Sequence, residues 1–102
     1  MKLPESNCVD RLKVLSDRTR LGVLRILIKG PQNVNDLSKK LSIEQSLLSH
    51  HLQTLRKAEL VNTTREGKAV VYHLTKEVRL DDNSGLDLGC CKLSFDHLPN
   101  DL

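Results

Sequence analysis

The sequence predicts a mainly α fold that closes with a β-hairpin, and three observations predict it. Leucines recur at helical spacing through the first half of the chain. Capping residues and a Gly-Pro break divide that half into short segments. After Leu60 the apolar period changes from that of a helix to the alternation of a strand.

Val9, Leu12 and Leu15 predict a first helix over about 8–16, with Ser6 or Asn7 as its cap. Asp17 caps a second helix, DRTRLGVLRILI, whose stripe is Leu21, Leu24 and Ile28, with Leu27 beside it. Gly30-Pro31 ends it, because proline cannot continue a helix. Asn35 is the expected cap of a short third helix, DLSKKL. Ser42 and Gln45 have the spacing of a capping box, so a fourth helix is expected from there to about Ala58. Leu48, Leu52 and Leu55 form its buried stripe, and Ser46, His50, Gln53 and Lys57 project from the opposite side. Gln45, Ser49 and Arg56 lie on a flank of the same helix. Leu60–Thr64 reads as a strand, Arg65-Glu66-Gly67-Lys68 as its turn and Ala69–Leu74 as the return strand, with Gly67 supplying a positive φ. The order is that of a winged helix-turn-helix. Residues 1–80 are expected to form this DNA-binding domain, and 81–102 an acidic, extended or looped tail.

A chain of 102 residues has room for one modest core, which dimerisation would help. Its formal charge is only +3, but the distribution is uneven. Residues 1–80 carry 15 Lys/Arg against 8 Asp/Glu, a net of +7, whereas 81–102 carry a net of −4. A basic body suits a nucleic acid backbone, and the acidic tail must stay away from it. A 38% hydrophobic share without long apolar runs excludes a membrane protein and a collagen-like chain. MKLPESNCVD lacks a signal-peptide apolar run, so a cytoplasmic protein is expected. Three cysteines, two of them adjacent, cannot build the disulfide framework of a secreted domain, and unpaired thiols are expected. An enzyme is not expected. Nucleophile, base and orienter must meet, yet no spacing links cysteine to histidine in a cleft, and Cys90-Cys91 is not C-x-x-C.

A helix that starts with short polar residues can approach the floor of the major groove. Gln45 can pair bidentately with adenine, and Ser46, Ser49 and His50 can donate to bases or phosphates. Gln53 shares that outward face. Arg56 and Lys57 lie further along, where phosphates are the expected partners, and Arg65 and Lys68 at the wing tip suit phosphate or the minor groove. His51 falls at the edge of the apolar stripe and reads as a packing residue. A domain that bound only proteins would more often carry an apolar patch between Gln45 and Lys57.

These segments resemble the ArsR/SmtB family of winged helix-turn-helix repressors over about residues 9–74. The resemblance rests on LSDRTRLGVLRILIKG, VNDLSKKLSIEQSLLSHHLQTLRKAELV and TREGKAVVYHL. It implies a homodimer that binds double-stranded operator DNA and releases it when a metal, metalloid or other signal binds. It places Gln45, Ser46, Ser49 and His50 at the major groove, and Arg65 and Lys68 in the wing. Leu47 departs from the family, which often has a small residue there.

The family's C-V-C-[DE]-L inducer site falls on Asn33-Val34-Asn35-Asp36-Leu37, so both thiolate positions are lost. The zinc-type site on a C-terminal helix also lacks its pattern, although His97 is present. Some members carry a C-terminal cysteine pair that binds arsenite, and others use cysteines near the N-terminus. Cys8, Cys90 and Cys91 are therefore the candidate ligands. Three thiolates suit trigonal As(III), and soft thiols also suit Hg(II), Cd(II) or Cu(I). No constitutive cofactor is implied. Thiol oxidation or persulfide sensing, and a purely structural role as small buried hydrophobes, remain open alternatives. Val9, Leu12, Leu15, Leu86, Leu88, Leu93 and Phe95 are the expected dimer surface.

Overall fold

The computed structural model describes residues 4–96; His97 lies outside the described residues. Helix α1 spans Pro4–Leu15, longer at its start than the apolar spacing predicts. Proline at the first helical position lacks only an amide that the helix would leave unpaired anyway. Helix α2 (Arg18–Leu27) starts where expected: the Asp17 side chain accepts the Arg20 amide at 2.9 Å. Its buried face is Gly22, Val23, Leu24 and Leu27. A two-residue strand β1 (Gln32–Asn33) follows, then α3 (Val34–Leu41), α4 (Gln45–Lys57), β2 (Val61–Glu66) and β3 (Ala69–Leu74).

Three expected caps are replaced. Positions 6 and 7 lie inside α1, so neither Ser6 nor Asn7 starts it. Asn33, not Asn35, caps α3, its side chain accepting the Asp36 amide at 2.8 Å. The Ser42–Gln45 capping box is absent. Ser42 instead takes the left-handed conformation (φ 54°) and closes the end of α3, while the Ile43 amide reaches the Ser38 carbonyl at 3.1 Å. Helix α4 therefore starts after Glu44, which provides no side-chain cap. The tight turn between α3 and α4 uses the polar residue that the spacing assigned to the next helix.

Strands β2 and β3 pair antiparallel from Val61–Leu74 to Glu66–Ala69, so Arg65 and Glu66 belong to the strand and only Gly67 and Lys68 turn. Gly67 adopts φ 62°. Strand β1 adds to the other side of β3, giving a three-stranded sheet ordered β1-β3-β2. The core joins Val23, Leu24 and Leu27 of α2, Leu37 of α3, and Leu48, Leu52 and Leu55 of α4, each fully buried.

The described part of the tail is extended and looped, as expected, and it folds back onto the body. A 3-10 turn (Lys76–Val78) buries Val78, and β4 (Gly85–Asp87) pairs antiparallel with β5 (Lys92–Ser94). Leu86 and Leu88 of this hairpin are 0% and 3% exposed and join the chain's own core, as does Leu15. These three are thus not dimer surface. Leu93 and Phe95 are partly buried against the same core, and Val9 and Leu12 remain about half exposed. Arg79 anchors the root of the tail: its guanidinium donates to the carbonyls of Leu27 and Ile28, the electronegative end of α2.

Candidate nucleic-acid interface and thiol cluster

The first site is the outer face of α4 with the wing. Burial of Leu48, Leu52 and Leu55 against α2 and α3 fixes the rotation of α4. As a result Gln45, Ser46, Ser49, His50, Gln53, Arg56 and Lys57 all face solvent, as do Arg65 and Lys68 on the hairpin. Leu47 joins them at 50% exposure, an apolar group among polar ones. The Gln45 amide donates to Asn35 Oδ1 at 2.9 Å, and the Ser46 hydroxyl donates to the Glu44 carboxylate. The start of α4 is thereby held by polar contacts that a base edge could replace. Lys39 and Lys40, exposed in the last turn of α3, extend the basic surface. Sequence reasoning missed them, although consecutive lysines at the end of the bracing helix were a readable signal. The surface is a polar, cationic ridge flanked by a hairpin, which matches the shape and charge of a DNA groove.

His51 is half-buried on the inner edge of α4. Its Nδ1 accepts from the Arg20 guanidinium at 3.1 Å and lies 4.0 Å from Asp17 Oδ1. Burial by itself raises the pKa of the Asp17 carboxyl. The Arg20 amide, the Arg20 guanidinium and the Thr19 amide outweigh that and hold it below the ordinary carboxylate value.

The second site joins the two ends of the chain. Cys8 lies on the inner face of α1 at 4% exposure. Cys90 and Cys91 occupy the turn between β4 and β5 and are exposed. That turn is built locally: the Leu88 amide bonds the Cys91 carbonyl at 2.8 Å, and the Asp87 carboxylate accepts the Gly89 amide at 2.9 Å. Gly89 takes φ 94°, a conformation that side chains disfavour. Arg11, one turn beyond Cys8, donates to the Leu88 carbonyl at 3.3 Å and clamps the hairpin to α1. All three sulfurs lie within 4.8 Å of one another. Cys8 and Cys90 are in bonding contact, with Cα atoms 6.0 Å apart, a span that a disulfide accommodates. Cys91 Sγ is 3.8 Å from Cys8 Sγ. Two of the three thiols expected to be unpaired are thus paired, and Cys91 is the free one.

The donor set fits a soft ion. A metal–thiolate bond of about 2.3 Å puts three sulfurs in a trigonal site roughly 4 Å apart. The Cys8–Cys91 spacing of 3.8 Å already has that value, and all three sulfurs lie within 4.8 Å of one another. Ion binding needs thiolates, so an ion and the Cys8–Cys90 bond exclude each other. The cluster thus has a bonded state and, after two-electron reduction by an external thiol, a thiolate state that can take an ion, and each links α1 to the tail differently.

Fold and surface together define a winged helix-turn-helix DNA-binding regulator. Residues 17–63 match the family described as "Bacterial regulatory protein, arsR family". The chain is 37% identical to the transcriptional activator HlyU of Vibrio cholerae over 74% of its own length and 69% of that protein. It is 39% identical to the arsenical resistance operon repressor of Staphylococcus xylosus, covering 76% of this chain and 74% of the repressor. The structure of reduced HlyU from Vibrio cholerae superposes with a TM-score of 0.68 at 38% identity, over 71% of this chain and 76% of that one. The chain belongs to the ArsR family of bacterial regulatory proteins. It is a DNA-binding transcriptional regulator, not an enzyme, and carries a cysteine cluster able to coordinate a soft metal or metalloid ion. All three cysteines lie outside the matched residues.

Proposed function

We propose that the chain is an operator-binding repressor, autoregulatory and homodimeric, whose DNA affinity is set by a soft thiophilic ion held by Cys8, Cys90 and Cys91. The observation that carries this is the convergence of three sulfurs from opposite ends of one chain. As(III) is the favoured ion: it prefers three thiolates, and the arsenical resistance operon repressor of Staphylococcus xylosus is a relative. Because the ligands come from a single chain, one ion per subunit is expected. Gln45, Ser46, Ser49, His50 and Gln53 are assigned to base edges and nearby phosphates, and Arg56, Lys57, Arg65 and Lys68 to phosphates. Two copies present two α4 helices to successive half-sites. Val9 and Leu12 on α1, each about half exposed, offer an apolar surface for pairing them.

Arsenite titration of the reduced protein tests the ion site, followed by thiolate absorbance. One equivalent per chain is expected, with loss of binding in Cys90→Ser and Cys91→Ser. Undiminished binding in both variants would end the proposal. The Cys8–Cys90 contact favours a second reading, in which oxidation of that pair is the signal. In that case an oxidant shifts DNA affinity while arsenite does not.

A further inference from the structure

The thiol cluster and the DNA-facing helix are joined by one side chain. Cys8 lies on α1, and the helix runs on to Val14 near its end. Arg20 Nε donates to the Val14 carbonyl at 2.6 Å, taking up a backbone acceptor at the C-terminal end of α1. The other arm of the same guanidinium, NH1, donates to His51 Nδ1 at 3.1 Å in the middle of α4. Arginine has no acceptor atom, so this contact requires His51 Nδ1 to be the unprotonated nitrogen. The base of Arg20 is fixed as well, because its amide N–H caps on Asp17 Oδ1 at 2.9 Å. The guanidinium is therefore tied at both ends and has little slack. His51 precedes Leu52, which is fully buried, and follows His50 on the exposed face.

We infer that Arg20 and His51 are positioning residues that couple the state of the cysteine cluster to the setting of α4 on DNA. The inference rests on the repressor reading above and names its route of regulation. Val14 is six residues beyond Cys8, about 9 Å along a helix that moves as a rod. In the reduced chain arsenite exchanges its three hydroxyls for the three thiols, releasing three waters; gathering Cys8, Cys90 and Cys91 around one ion shifts the Cys8 end of that rod, so the Val14 carbonyl shifts with it. Arg20 must then either follow the carbonyl and pull on His51, or release it. Either response changes the rotation or tilt of α4 about its buried leucine stripe, and with it the exposed residues from Gln45 to Lys57. The ion-free and ion-bound forms of the reduced cluster supply the two-state element that such coupling needs.

The test uses full-length reduced protein, arsenite as the probe and a duplex from the region upstream of its own gene. Operator affinity is measured with and without one equivalent of arsenite in the parent, Arg20→Gln, His51→Leu and His51→Asn. Helical circular dichroism identifies variants that keep their fold. In the parent, arsenite weakens DNA binding at least tenfold. Arg20→Gln and His51→Leu are expected to bring that ratio below about threefold, whereas His51→Asn, which restores a side-chain acceptor, keeps most of it. Coupling is reciprocal. DNA should therefore weaken arsenite binding in the parent and in His51→Asn, but not in the other two, while arsenite affinity without DNA stays within twofold throughout. That second readout does not move if Arg20 only stabilises the fold. An unchanged ratio in Arg20→Gln and His51→Leu, or an equal loss of DNA affinity in both arsenite states, overturns the inference. A parent ratio near one overturns the repressor reading itself, and the relay with it.

Discussion

Gly85→Ala tests how the cysteine pair is held. A Cβ at Gly85 would overlap the Leu93 carbonyl oxygen and stand 2.9 Å from its carbon and 3.0 Å from Ser94 Cα. Carbon atoms pack best at about 3.5–4.0 Å, so β4 and β5 must part by at least ~0.6 Å, and further at the oxygen. The neighbouring bonds, Phe95 amide to Ser84 carbonyl at 2.7 Å and Leu88 amide to Cys91 carbonyl at 2.8 Å, lie on the segments that have to move. If the hairpin detaches, the buried side chains of Leu86 and Leu88 are exposed, at roughly 1.5–3 kcal/mol each. The ceiling is therefore about 3–6 kcal/mol of tail stability, an upper bound because unfolded chains are not fully extended. The core around Leu24, Leu48 and Leu52 lies elsewhere and should persist. The assay is the rate at which an aromatic disulfide reagent labels the reduced protein. In the parent, Cys90 and Cys91 react quickly and buried Cys8 slowly; in Gly85→Ala all three react quickly, while helical circular dichroism is retained. A Cys8 that stays slow, with unchanged arsenite binding, would refute the claim that the hairpin seats the cluster.

Asp17 has a pKa held below the ordinary carboxylate value in the folded chain. Its contribution to stability is thus complete above about pH 4 and fades as pH falls through the lower, folded value. Asp17→Asn, which keeps a capping oxygen, should lose less melting temperature than the parent between pH 6 and pH 3; Asp17→Ala should cost about 0.5–2 kcal/mol at neutral pH. At the wing, Arg65→Ala and Lys68→Ala should each weaken operator binding and, with two wings per dimer, flatten the plot of log affinity against log salt by about two units. An unaltered slope in both would remove the wing from the phosphate contacts.

Several parts of this molecule were legible because they depend on local periodicity. Leu48, Leu52 and Leu55 recur at helical spacing, and that one stripe set the rotation of α4 and so its exposed face. The Asp17 cap and the β2–β3 pairing were legible for similar local reasons. The Ser42 cap was misread because serine serves a left-handed helix end as well as a helix start, and only the chain's path decides which. The alternation of Leu86 and Leu88 was visible, but sequence could not say which surface they cover, and the structure spends them on the chain's own core. At the thiol site the residue types were readable, whereas the meeting of Cys8 with Cys90 across 82 positions depends on how the whole chain folds back. The Arg20–His51 contact spans 31 positions between residues that, read singly, look like an exposed cation and a packing histidine.

The most direct test of the account is operator affinity measured by fluorescence anisotropy on reduced protein, with and without arsenite, beside a variant carrying Cys8→Ser, Cys90→Ser and Cys91→Ser. Salt-sensitive binding by both proteins, weakened at least tenfold by arsenite in the parent alone, is the expected result. Equal affinities in the parent with and without arsenite, or the same weakening in the triple variant, would contradict it.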